Sequence, residues 1–144
     1  MARILFIMLF IIMAFASVVY GIDLDIIAEI ESSNNPNAYN SYSGATGLYQ
    51  ITWICLNDYN ILNHTDLRMQ DMLDPDANYV VASWYILDRI PELLEYYGLK
   101  ITDEAILACY NWGIGNYRKY EKDLKDMPWE TVNYIEKYER IKNG

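Results

Sequence analysis

The sequence predicts a mainly α-helical single domain with at most a small β element. Three observations carry that expectation. Apolar residues recur at helical spacing in several stretches, and none alternates like a long strand. Helix-opening residues stand where such stretches begin, at Asp74-Pro75, Thr102 and Pro128. The chain of 144 residues has the size of one domain.

The elements follow in order. Arg3 precedes an apolar run from Ile4 to Tyr20, broken only by Ala14, Ala16 and Ser17, which leads into Gly21. A charged start, an apolar middle and small residues near the end are the parts of a secretory signal over residues 1–21. Cleavage after Gly21 leaves 123 of the 144 residues, the domain at 22–144, and Ala14-Phe15-Ala16 offers an earlier site. The alternative is an uncleaved anchor over residues 4–20, since the run approaches the ~17-residue lower limit for spanning a bilayer. Either reading directs the chain out of the cytoplasm.

Ile22, Ile26, Ile27 and Ile30 predict a helix over 23–33, stopped at Asn34-Asn35-Pro36 because proline excludes the helical conformation for its predecessor. Gly44 to Gly47 reads as a tight turn, any sheet lies near 38–46, and 48–60 reads as a second helix. Asp74 caps the next, with Val80, Trp84 and Leu87 on one face and Pro91 ending or kinking it. Thr102 caps a further helix with Asp103 and Glu104 in its first turn, and Ile101 and Ile106 fit a hydrophobic staple. Asn111 to Asn116 breaks it with glycines around a polar turn. Pro128 opens the last, carrying Val132, Ile135, Tyr138 and Ile141.

A formal charge of −9, or −10 once Arg3 is lost, repels nucleic acid and anionic lipid, so a nucleic-acid partner is not expected. Fourteen tyrosines and four tryptophans mostly fill a small core, but flat rings with polar tips also suit sugar sites. Cys55 and Cys109 either form one disulfide, worth about 3–4 kcal/mol in the chain-entropy account, or remain buried thiols. With His64 alone and no Cys-x-x-Cys, no usual metal cluster is spelled out, and no cofactor is expected.

Glu31 ends the first predicted helix, directly after Ile30. Negative potential from the helix carbonyls and partial burial both disfavour its ionised form. A carboxylic acid still protonated near neutral pH is what protonating a glycosidic oxygen requires. A solvated carboxylate at a helix end is the plainer reading of its position alone.

The residues that follow narrow the choice. Glu31-Ser32, Asn35-Pro36-x-Ala38 and Gly44-Ala45-x-Gly47-Leu48-x-Gln50-Ile51 resemble the first two motifs of the Slt-type lytic transglycosylases, the goose-lysozyme-like enzymes that cleave peptidoglycan. Ala108-Cys109-Tyr110-Asn111-Trp112-Gly113 resembles that family's Ala-Ala-Tyr-Asn-Ala-Gly motif. Pro128 to Ile135 resembles its closing Glu-Thr-x-x-Tyr-Val. Four motifs in family order span 31 to 135.

The resemblance implies a lysozyme-like fold with a substrate groove, peptidoglycan glycan strands as the partner, and a monomer. It makes Glu31 the catalytic acid and base. Ser32 would hold the substrate or the acid, and Gln50 would bind N-acetyl or hydroxyl groups. Tyr110 is similar to the tyrosine whose hydroxyl reaches the glutamate, with Asn111 in the same wall. Glu130 and Tyr134 resemble a distal pair closing the other side. Capping or core packing is the alternative for Ser32, Asn111 and Tyr134.

Three positions depart from the pattern. Tyr49 stands for the usual methionine and can line the same groove. Cys109 and Trp112 stand for alanines, and the indole would narrow the groove or add a stacking platform. A bond between Cys55 and Cys109 would clamp two motif helices together.

Hydrolytic glycosidases usually pair two carboxylates. No second one is evident around Glu31, so the resemblance implies one group acting twice and an anhydro product. The alternatives are a hydrolytic lysozyme and a non-catalytic glycan-binding module, against which the retained glutamate speaks. Wall remodelling, insertion of a secretion apparatus and phage lysis are the settings such a chain would serve.

Overall fold

Residues 20–120 and 125–144 are described by a computed structural model. The expected signal or anchor lies outside them except for Tyr20 and Gly21. The domain is mainly α-helical, and among the described residues no helix is long and apolar enough to cross a membrane.

Helix α1 (Leu24–Ser32) opens on Asp23, whose carboxylate accepts the Asp25 N–H, and buries Leu24, Ile26, Ile27 and Ala28. It ends earlier than the proline requires. Ser33 (φ 54°) and Asn34 (φ 59°) are left-handed, and the Ser33 N–H closes onto the helix carbonyls.

The segment from Tyr39 to Ile51 is a compact turn rather than the start of a helix. Thr46 pairs antiparallel with both Tyr39 and Ile51, which is the small β element expected near 38–46. Gly47 (φ 82°) and Gln50 (φ 51°) are left-handed, so no helix can run from 48. Helix α2 (Trp53–Asn63) starts five residues later than predicted, where the Thr52 hydroxyl accepts the Cys55 N–H.

A 3₁₀ turn (Met69–Leu73) leads to Asp74, which caps α3 (Pro75–Trp84) by accepting the N–H groups of Asp76 and Ala77. Pro91 neither ends nor sharply breaks the run. The chain stays helical through a π turn (Tyr85–Arg89) into α4 (Ile90–Tyr96), the Ile90 N–H reaching back to the Tyr85 carbonyl. A π turn adds one residue to the loop it closes, and it lies where proline cannot supply an N–H.

The buried face of this run also differs from the predicted one. Val80 is exposed, and Asn78, Val81, Ala82, Ile86, Ile90 and Leu94 are buried. Asn78, Ala82, Ile86, Ile90 and Leu94 recur every fourth residue, more than the 3.6 of a straight α-helix. The wider turn lets that stripe keep facing the core.

Thr102 caps α5 (Asp103–Trp112) through the Ala105 N–H. Ala105 to Cys109 are buried without interruption, so α5 runs through the middle of the core. The break after it is a single residue, Gly113 (φ 89°), rather than a longer polar turn, and α6 (Ile114–Tyr120) follows at once. Helix α7 (Trp129–Asn143) opens on Pro128, buries Thr131, Tyr134, Ile135 and Tyr138, and packs on both α5 and α1. The Tyr138 hydroxyl receives the Asp23 N–H at 2.6 Å, fixing the start of α1 against α7.

Candidate active site

A groove of about 480 Å³ opens where the end of α1, the Asn40–Thr52 turn, α2 and the end of α5 meet. Glu31, Gln50, Tyr110, Asn111, Trp112 and Glu130 all line it. Distant motifs thus converge on one cavity.

Each wall has a cause in the sequence. The turn wall is held from beneath by Asn78, fully buried on α3. Its amide nitrogen donates to the carbonyls of Thr46 (2.9 Å) and Met72 (2.8 Å), and its oxygen accepts the Tyr49 N–H (3.0 Å). A Cβ at Gly47 would meet the Asn78 amide and the Met72 carbonyl at 2.2 Å, so only glycine fits there. The Gln50 amide nitrogen donates to the Gly47 carbonyl at 3.0 Å, which fixes the side chain against the turn. The helix wall joins the turn wall where the Tyr110 hydroxyl donates to the Tyr49 carbonyl. Tyr85 of the π turn lies beside Tyr110, ring centroids 6.2 Å apart, and also lines the groove. Arg89 of the same turn ties it to α2 through Asp58 at 2.8 Å.

Glu31 is mostly buried at the groove floor. Burial pushes its carboxyl up to about 7, against a hydrogen bond from the Tyr134 hydroxyl (3.0 Å to Oε1) and the charge of Lys137, which pull it down. Loss of solvent, more than the helix end, is therefore what raises it. Tyr134 is held far above the usual phenol range by burial and by Glu31, so it remains a neutral donor. Glu130 also lines the groove but is exposed.

Several expected placements change. The tyrosine that reaches Glu31 is Tyr134, not Tyr110. Tyr134 is not a groove-closing partner of Glu130 but lies behind the acid, because α7 packs directly on α1. Ser32 does not line the groove. Its hydroxyl donates to the Ala28 carbonyl and accepts the Asn35 N–H, which is a capping role. Tyr49 does not line the groove either: its ring is 3% exposed and packs near Tyr79. Cys55 and Cys109 are free, buried thiols rather than a disulfide. Burial pushes each up to about 12, so neither is a thiolate nucleophile.

Two residues without a role in the sequence reading matter here. Asn78 holds the turn, and Thr131, fully buried, donates to the Asn111 side-chain oxygen at 2.9 Å and so orients that amide. An asparagine between apolar neighbours on a helix was the available signal for the first, since a buried amide needs partners. Among the described residues no group of three His, Cys, Asp or Glu side chains is placed to hold a metal.

Residues 18–132 match the family model of the transglycosylase SLT domain. The chain belongs to that family. No curated protein and no solved structure matches it. Membership gives the SLT domain a function of the lytic-transglycosylase type, acting on peptidoglycan. The matched stretch ends two residues before Tyr134, so the contact of that hydroxyl with Glu31 stands on geometry alone.

Proposed function

We propose that the chain cleaves the bond between N-acetylmuramic acid and N-acetylglucosamine without consuming water, leaving 1,6-anhydro ends, with Glu31 as both acid and base. The observation that carries this reading is a carboxyl at the groove floor, desolvated to about 7, with one neutral hydroxyl donor on it. Such a group holds its proton at neutral pH until substrate arrives and can take one back afterwards.

Glu31 gives its proton to the glycosidic oxygen as the bond to C1 breaks. The 2-acetamido oxygen of the muramoyl ring stabilises the cation at C1. The carboxylate then takes the proton of the ring's own C6 hydroxyl while O6 closes on C1. Protons and bonds balance, and the acid is regenerated. The Tyr134 hydroxyl stabilises the intermediate carboxylate. Gln50 and Asn111 are the polar groups on the two walls that would hold the acetamido and hydroxyl groups. Murein lies outside the cytoplasmic membrane, so the reading places the domain there, with residues 1–21 as signal or anchor.

One observation favours a hydrolytic outcome: Glu130 shares the groove, and a second carboxylate could activate water. Digestion of purified sacculi decides between them. Anhydro-ended muropeptides are expected. Reducing ends would make the chain a lysozyme, and an undigested substrate that is still bound would make it a binding module.

A further inference from the structure

We propose that Trp112 is a preformed stacking platform for one sugar ring of the glycan strand, and so a specificity-determining residue of this groove. The inference rests on the proposed reading that the groove takes a glycan strand.

Of the four tryptophans, Trp112 alone lines the Glu31 groove among the described residues. It follows Tyr110 and Asn111 at the end of α5. Gly113, at φ 89°, turns the chain so that α6 doubles back, and the Asn116 amide donates to the Trp112 carbonyl at 2.9 Å, securing the turn. That return brings Tyr120 onto the indole. The two rings are 5.4 Å apart at 18°, a stacked pair. Tyr120 is outside the groove lining, so one aromatic backs another that lines the groove.

A core tryptophan needs no such support, and an exposed one without it would lose rotamer freedom on binding. The stack fixes the indole before the ligand arrives, which lowers the ordering cost of association. The apolar face of a pyranose carries axial C–H groups that pack on an indole, while its hydroxyls point sideways. The groove supplies polar partners for those edges from Asn40, Ser43, Gln50 and Thr52. The platform therefore selects a ring with a flat apolar face, an N-acetylhexosamine, over a peptide or a flexible polyol. Its contribution acts on binding before and during the reaction alike, so it belongs in KM rather than kcat.

The test uses the full chain with the E31Q change, titrated calorimetrically with chitohexaose, a soluble β-1,4 strand of N-acetylglucosamine. Adding W112A weakens binding roughly tenfold, as for loss of one aromatic contact. W112F keeps a ring and stays within about threefold. Y120A, which only loosens the platform, weakens it by about threefold. With an active Glu31 and sacculi as substrate, W112A raises KM while kcat stays within about twofold. Unchanged or tighter binding by a folded W112A chain overturns the proposal, since the indole would then be idle or obstructing. So does a fall in kcat with KM unchanged. Should W112A not fold, Y120A decides: unchanged chitohexaose binding overturns the platform. The two readings fail separately. Intact sacculi alongside Trp112-dependent binding sink the reaction and keep the platform, whereas digestion with Trp112-independent binding does the reverse.

Discussion

The groove holds two glutamates, one at its floor and one at its rim, and they differ in everything except side-chain chemistry. Glu31 ends a helix whose other face is isoleucine and leucine, and it is mostly stripped of water with the Tyr134 hydroxyl bonded to it. Glu130 sits in the first turn of α7 and is exposed. Surroundings rather than residue type separate them: the carboxyl at the floor is desolvated and raised to about 7, and the one at the rim is open to solvent. Four tests probe that contrast, in falling order of expected effect.

The sharpest is to neutralise each glutamate by the isosteric amide. E31Q lowers turnover of sacculi at least about 10³-fold, within the range for losing a general acid, while binding stays within a few-fold. E130Q costs less than about tenfold. Comparable losses in both, measured as kcat on the same substrate, would erase the distinction and favour a two-carboxylate hydrolase.

The second concerns the scaffold that holds the turn wall beside that floor. G47A forces a Cβ into the Asn78 amide and the Met72 carbonyl while holding a left-handed backbone. Overpacking and backbone strain together cost on the order of 4 kcal/mol. Denaturant melts read this directly. A loss below about 1 kcal/mol would mean that the turn is not clamped as described.

This turn also shows what was and was not legible in the sequence. Caps were legible because each is decided by one or two neighbours: Asp74, Thr102 and Pro128 open helices as their chemistry dictates. The meeting of Glu31, Gln50, Asn111 and Glu130 around one groove followed from the family resemblance and not from any local rule. The start of α2 departs from expectation because Leu48 to Ile51 has ordinary helical composition, and the left-handed Gln50 is imposed by its bonds to Ala38 and Gly47 and by the hold of the distant Asn78 on its neighbour Tyr49. The buried face of α3 was misjudged because a π turn changes the period on which such a reading depends. Tyr134 takes the place expected of Tyr110 for a related reason. Which hydroxyl reaches Glu31 is set by the docking of α7 on α1, across more than a hundred residues.

The third prediction follows from the stored proton. The folded chain holds Glu31 protonated up to about 7, whereas the unfolded chain releases that proton near the ordinary value of 4.5. A raised carboxyl makes folding less favourable as pH rises between those values, since the folded state binds the extra proton. Wild type and E31Q are therefore equally stable below about pH 4, and E31Q becomes the more stable by up to about 3 kcal/mol above pH 7. Glu130 is exposed at the rim, so E130Q is the control. Stability curves for E31Q and wild type that stay parallel from pH 4 to 8 would place Glu31 in solvent and dissolve the contrast between floor and rim.

The smallest effect isolates Tyr134. Its hydroxyl stabilises the carboxylate and so works against burial, pulling the Glu31 carboxyl down. Y134F removes that donor and leaves the ring packed in the core, so the chain folds and Glu31 rises further. In kcat/KM against pH, the alkaline limb, where activity falls as the acid loses its proton, moves from near pH 7 to higher pH by roughly one unit or less. The plateau below it falls by about tenfold, because the carboxylate formed after proton donation has lost its hydrogen bond. Opposite movements of limb and plateau separate an electrostatic role from a packing role. A packing residue would lower the plateau with the limb unmoved, and Y110F, whose hydroxyl bonds the Tyr49 carbonyl rather than Glu31, is expected to behave in that second way.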